Sequence, residues 1–338
     1  MNRDGMTEVP VRMDMRAEDL AAGFEAPPEA IAVANTAVMG DDSAARGHVE
    51  WLTLGLILGT YLLWGGALLL WPVAPVAAVL ALAVLTAFHG SLTHEVLHGH
   101  PFVSRAANET LMRLPLGLAV PYCRFRDLHL AHHRDSRLTD PYDDPESNYF
   151  DPAVWVGLPR WQKLVLRFNN TLFGRVTVGA LIGQVQFMVS EWRLFRDGER
   201  GIAGAWGLHV LGVVAVLALV WAAGMPIWAY LLAAYGGSSL LRVRTFLEHR
   251  AHERVRGRTV IIEDRGFFAF LFLNNNLHVV HHMHPGVPWY RLPALYRRGK
   301  ERFCQVNDGY VYRSYGEIFR RFFWKAKDPV PHPLWPEK

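Results

Sequence analysis

Eight of the sixteen histidines in this 338-residue chain fall into three short groups. They are His94-Glu95-Val96-Leu97-His98, His129-Leu130-Ala131-His132-His133 and His278-Val279-Val280-His281-His282. On a helix, residues three or four apart share a face. An HxxxH group therefore sets two imidazoles side by side, and an HxxHH group sets its first ring beside both later ones. Each group is expected to aim two or three ring nitrogens at one place. Imidazole binds zinc, copper, iron and nickel. Zinc normally takes four ligands, so eight imidazoles exceed the needs of one tetrahedral ion. Two metal ions with four or five ligands each account for the number. A single group of this kind is readily an ordinary surface or core feature. Three, each beside a predicted membrane boundary and all on one side, point to a metal centre.

Neighbouring residues test other chemistries. Glu95 makes the first group a literal HExxH, which in zinc proteases places two ligands and a general base on one helix. That reading, an intramembrane metalloprotease, leaves both HxxHH groups without a job. Glu95 and His98 also match the ExxH half of a carboxylate-bridged site, but no second ExxH exists. Asp127, Asp135, Asp140, Asp143, Asp144 and Glu248 crowd the groups. Carboxylates beside metal-binding histidines often accept the distal ring N–H and fix the tautomer. Asp135 and Glu248 are the candidates for that role, and charged loop residues near Pro141 and Pro145 are the plainer account of the rest. Asn274, Asn275 and Asn276 are expected to cap the helix of the third group. His89 reads as a buried hydrogen-bonding residue and His209 as packing. Arg124, Arg126, Arg134 and Arg137 read as a solvated basic face. Two cysteines, Cys123 and Cys304, make neither a disulfide framework nor a four-cysteine zinc site. The net charge of +4 is mild and gives no reason to expect a nucleic-acid partner.

The elements that must position these groups follow from hydropathy. No Asp, Glu, Lys or Arg occurs from Trp51 to Phe88 or from Gly201 to Leu241, runs of 38 and 41 residues. A bilayer span needs about 20 apolar residues. Each run is twice that length and is broken near its middle, by Pro72 and Pro75 or by Gly224 and Pro226. The fold is therefore expected to be all-α. It has four transmembrane helices, about 51–71, 74–93, 204–223 and 226–242, in two hairpins, with a helical cap that holds the histidines. All 35 Lys and Arg lie outside the two runs. The positive-inside tendency then places the cap and both termini in the cytoplasm. Residues 1–48 are expected to be a flexible tail, 49–305 the membrane domain and 306–338 a cytoplasmic C-terminal segment. Residues 172–189 read as an interfacial amphipathic helix rather than a fifth span. Residues 111–122 are too short to span and are expected along the membrane face.

HEVLH at 94–98, HLAHH at 129–133 and HVVHH at 278–282, in that order and with two-hairpin hydropathy, resemble the membrane fatty acid desaturase and hydroxylase superfamily. The resemblance covers roughly residues 50 to 300. It implies two iron ions (Fe2+/Fe3+) on the cytoplasmic face, O2 as co-substrate and electrons from a separate ferredoxin or cytochrome b5-like donor. The implied metal residues are His94, His98, His129, His132, His133, His278, His281 and His282. Related desaturases have one more histidine soon after the last span; His249 is the candidate and His252 the competitor. Three residues between the histidines of the first group, where acyl-CoA desaturases usually have four, lean towards acyl-lipid desaturases or carotenoid enzymes. His278 argues against the front-end desaturases, which usually carry Gln there. The ending His281-His282-Met283-His284-Pro285-Gly286-Val287-Pro288-Trp289 is shared by desaturases and carotenoid ketolases. His284-Pro285-Gly286 resembles a cytochrome b5 haem turn, but Val287 replaces the second glycine.

The expected activity is desaturation of a long acyl chain, with carotenoid or lipid hydroxylation or ketolation as the alternative. A slot lined by residues such as Leu114, Leu116 and Phe246 is expected to receive the substrate. A membrane metal transporter would instead place the histidines along a pore.

Overall fold

The computed structural model describes residues 49–134 and 138–335. The tail expected at 1–48 and the candidate Asp135 lie outside the described residues.

The first uncharged run forms α1 (Trp51–Leu69) and α2 (Pro75–Leu97). Pro75 opens α2 at its first position, where its missing N–H has no intrahelical partner to lose. The expected end at 93 is passed by a turn. Nothing in Thr93–Leu97 breaks a helix, and Gly99, at φ +103°, supplies the left-handed stop. The first histidine group therefore rides on the last turn of an apolar helix. The second run forms α9 (Ile202–Ala222) and α10 (Ile227–Thr245), with Gly224 at φ +73° in the turn between them.

Among the described residues, α1, α2 and α9 are long and apolar enough to cross a membrane. The helix at the fourth expected span, α10, contains Gly236-Gly237-Ser238-Ser239 and ends in Arg242 and Arg244. Its composition reflects what it packs against. Ala229, Tyr230, Ala233, Ala234 and Gly237 are buried. A Cβ on Gly237 would stand 2.8 Å from the Ala83 carbonyl oxygen and 2.7 Å from Thr86 Cβ, so only glycine lets α10 lie this close to α2.

Residues 112–121 pack against the apolar helices. Leu116 is fully buried, in a core with Trp64, Leu82 and Tyr230. Backbone without a helix needs outside donors when it is buried among apolar helices. They are supplied: Tyr61 Oη donates to Leu111 O at 2.7 Å, Tyr230 Oη to Leu116 O at 2.8 Å and Gln184 Nε2 to Ala119 O at 2.9 Å. His209 Nε2 lies 3.0 Å from Leu118 O. His209 is thus a fastening for this segment, and His89 pairs with Tyr61 Oη at 3.1 Å.

The remaining elements lie outside these four helices. They are α3 (Arg105–Leu111), α4 (Tyr122–Arg134), α5 (Pro152–Gly157), α6 (Arg160–Asn169), α7 (Leu172–Thr177) and α8 (Gly179–Arg196). After α10 come β1 (Ile261–Ile262), α11 (Phe267–Leu271), α12 (His278–Met283), α13 (Leu292–Val306), β2 (Val311–Tyr312) and α14 (Tyr315–Phe322). The described residues are thus mostly helical, and β1 and β2 pair in parallel over two residues. That pair ties residues after 305 to the strand that precedes the third histidine group.

The slot expected along Leu114, Leu116 and Phe246 is filled by packing. Leu116 and Phe246 are both fully buried, in two different cores. A cavity of about 40 Å³ lies beside Met112, Tyr122 and Leu208, and none of the grouped histidines lines it.

Candidate metal centre

Three helices deliver the boxes to one place. The last turn of α2 carries His94, with His98 as its C-cap. The second half of α4 carries His129, His132 and His133, and α12 carries His278, His281 and His282. α4 is braced well before its histidines. The Glu191 carboxylate on α8 takes two N–H donors of Arg124, at 2.9–3.0 Å, and Trp206 Nε1 from α9 at 3.0 Å. Arg124 is therefore a paired structural residue, not part of a solvated face.

The approach to α12 is fixed by the three asparagines, which do not cap it; the N-cap position is Leu277 and makes no side-chain bond. Leu273 and Asn274 are both in the left-handed region, at φ +50° and +56°, and redirect the chain out of α11. Asn274 Nδ2 donates to Trp289 O at 3.1 Å, Asn276 Nδ2 to Ile262 O at 2.6 Å and Asn275 Nδ2 to Glu248 Oε1 at 3.0 Å.

The rings converge into two groups. His94, His98, His129, His133 and His281 form one, and His132, His249, His278 and His282 the other. Within each group, one donor atom per residue lies within 4.8 Å of all the rest. Each HxxHH box is therefore divided. Its i and i+4 members go to one group and its i+3 member to the other. Helix geometry explains this: positions i and i+4 differ by about 40° around the axis, whereas i+3 and i+4 differ by about 100°. The expectation that each box aims at a single place is corrected on that ground. His249 stands in the four-histidine group, 3.0 Å from His132 Nε2 and 3.2 Å from His278 Nε2. His252 is elsewhere, with its Nε2 3.0 Å from Asp308 Oδ2.

The donor set fits metal ions. His94 Nε2, His98 Nε2 and His129 Nε2, all of the five-histidine group, are buried with no hydrogen-bond partner among the described residues. An unsatisfied buried polar atom costs about 1–3 kcal/mol, so this concentration at one place indicates a partner other than protein. Ring nitrogens also face one another at 3.0–3.2 Å. Two nitrogens each about 2.1 Å from one ion, at a right angle, lie about 3.0 Å apart.

Acidic residues hold the outer edges of the rings. His132 Nδ1 donates to Asp144 Oδ1 at 2.8 Å and His129 Nδ1 to Glu146 Oε1 at 2.7 Å. These bonds turn the Nε2 lone pairs inward. His278 Nδ1 lies 3.1 Å from Asn275 Oδ1 and 3.9 Å from Glu248 Oε1, and Glu248 in turn pairs with Arg244 at 3.1 Å. Glu248 thus acts on the third box through Asn275. Asp144 is one of the carboxylates that crowd the groups in the sequence, where it reads as loop charge, and Glu146 is not singled out there. The signal was present but weak: acidic side chains 12 and 17 residues beyond their histidines, in a proline-bounded loop.

Burial pushes His249, His278, His281 and His282 well below the ordinary imidazole value, with neighbouring imidazoles adding to the effect, and so keeps these rings neutral and able to ligate. His132 is the exception. Burial opposes its charge, but Glu146 and Asp144 outweigh it and raise it to about 9. An environment that favours a proton on His132 also favours a metal cation there.

Glu95 stands outside both groups. Its Oε1 accepts the Trp289 backbone N–H at 2.9 Å and lies 3.8 Å from His100 Nε2. The general base that a protease reading of HExxH needs is therefore turned away from the grouped imidazoles.

Residues 69–315 match the family described as Fatty acid desaturase. The chain is also similar to a beta-carotene ketolase of Paracoccus sp., at 26% identity over 257 residues, covering 72% of this chain and 88% of that protein. A beta-carotene ketolase from a second Paracoccus strain is 27% identical over 260 residues, with the same coverage.

Proposed function

This chain belongs to the fatty acid desaturase family, and from that premise we propose an O2-dependent diiron enzyme that desaturates a long acyl chain held in a membrane. It is an oxidoreductase of the membrane desaturase superfamily. The observation that carries the proposal is the convergence of nine imidazoles from α2, α4, α12 and the loop after α10 into groups of five and four. His94, His98, His129, His133 and His281 would hold one iron, and His132, His249, His278 and His282 the other. Bound there, the iron pair supplies O2 activation, using two electrons from a separate ferredoxin or cytochrome b5-like donor.

The protein's own residues orient and exclude. Asp144 and Glu146 fix the tautomers of His132 and His129. The buried shell keeps water from the reacting carbon. In this reading α10 is a fourth span beside α2, and the cap and both termini are cytoplasmic, as the distribution of Lys and Arg supports. The membrane domain is taken as 49–305, preceded by a tail and followed by a cytoplasmic segment. Admission of the chain requires side chains such as Leu116 or Phe246 to move, because both are packed.

A second reading, ketolation or hydroxylation of a carotenoid, is favoured by the two Paracoccus relatives. One experiment separates them. Acyl-lipid and carotenoid profiles are compared for cells carrying the chain, carrying His282→Ala or carrying neither. A new acyl double bond lost in His282→Ala supports the first reading, and oxygen added to a carotenoid supports the second. No change in either profile, in cells that supply a reductase and both lipids, removes both.

A further inference from the structure

We propose that α6, together with Trp324, is a second membrane anchor of the cap that lies in the surface of an anionic bilayer. The inference concerns residues 152–169 and the C-terminal segment, and it does not depend on which carbon is oxidised.

The ten residues of α6 divide into three sides. Trp161, Leu164, Val165 and Phe168, at helical spacing of three and four, are exposed, Trp161 and Leu164 by 64% and 65%. Asn169, on another side, is buried against the cap. Arg160, Lys163 and Arg167 form the third side, and Lys163 and Arg167 lie over the Trp155 ring at 5.9 and 5.7 Å. An apolar stripe flanked by basic residues on a helix too short to span is the composition of an interfacial helix. The stripe does not end with α6. Phe168 contacts Phe173 at 5.9 Å, and Phe173 contacts Trp324, itself 71% exposed, at 4.7 Å. An exposed apolar stripe also runs along α8 through Leu181, Val185, Met188 and Trp192.

A bilayer fits this surface better than a protein does. A second copy seated symmetrically would set the same three basic residues against each other. An acidic protein partner would answer the charges but leave an aromatic and aliphatic stripe to cover. An anionic lipid surface answers both at once, with phosphates beside the basic side and acyl chains under the stripe. The anchor also bears on the candidate centre. The backbone N–H of Lys327 donates to Asn170 O at 3.1 Å, just beyond α6, while its Nζ donates to His249 O at 2.9 Å.

The full chain, one copy per nanodisc of phosphatidylglycerol, tests this. Nitroxide labels are placed at Leu164→Cys or Phe168→Cys, or at Glu253→Cys on an exposed loop, each with Cys123→Ser and Cys304→Ser. Collisions with oxygen, which concentrates in lipid, are compared with those of a water-soluble nickel complex. Labels at 164 and 168 are expected to favour oxygen, and the label at 253 to favour nickel. Nickel preference at all three, or shielding of 164 and 168 from both agents by protein, overturns the proposal. Arg160→Gln, Lys163→Gln and Arg167→Gln together are expected to shift 164 and 168 towards nickel, roughly fivefold in the docked ratio per charge removed. An unchanged ratio overturns the anionic part.

Discussion

The five-histidine and four-histidine groups draw on shared boxes but sit in different surroundings. The larger group takes both rings of the first box, the i and i+4 rings of the second and His281. Among the described residues, one of its rings, His129, is held by a carboxylate, Glu146. The smaller group takes the i and i+4 rings of the third box with His132 and His249. Around it stand Asp144, bonded to His132, the second oxygen of Glu146 4.0 Å from His132 Nε2, and Glu248 behind Asn275 and His278. One group offers more neutral nitrogens, and the other offers fewer with more negative charge nearby. Two cations can be held by either route, but the two routes fail differently.

The sharpest break comes from removing one ring on each side. His278→Ala leaves three imidazoles in the smaller group. It is expected to lose about one of two irons, and activity by more than the 10–100-fold typical of losing an outer partner. His98→Ala leaves four imidazoles in the larger group and is expected to retain more iron. Iron per chain measured on both purified variants checks this, and equal loss would erase the distinction.

A smaller effect isolates charge from ligand number. Asp144→Asn keeps a hydrogen-bond acceptor for His132 but removes the charge. It is expected to weaken iron at the four-histidine group by about 10-fold, within the range for such partners. Titration with a competing chelator reads it. Loss equal to that of His278→Ala would mean that Asp144 mainly holds the loop in place.

The smallest effect is that of His252, which with His249 follows α10. His252→Ala is expected to leave iron content and activity near those of the parent, because His252 pairs with Asp308 outside both groups. His249→Ala is expected to behave like His278→Ala. The reverse order would exchange their roles.

Much of this was legible beforehand because it rests on local rules. Uncharged runs broken by proline and glycine gave the apolar helices, and i, i+4 spacing gave the paired imidazoles. Glu95 was legible as part of a motif but misleading, since its carboxylate is committed to Trp289 and His100. Residues 112–121 carried no sign that tyrosine, glutamine and histidine from other helices would take up their carbonyls. α10 reads as less apolar because its small residues face α2, and that is known only once the two helices are packed.

The sequence by itself determined which side chains can ligate and that each box presents them on a helix, because 3.6 residues per turn is a property of the local backbone. Only the tertiary structure decided how the boxes divide between two groups, that His249 and not His252 joins them, and that Asp144 and Glu146 hold their outer edges. Those outcomes depend on the angles at which α2, α4 and α12 meet. The angles are set by contacts between residues far apart in the chain, such as Arg124 with Glu191 and Asn275 with Glu248.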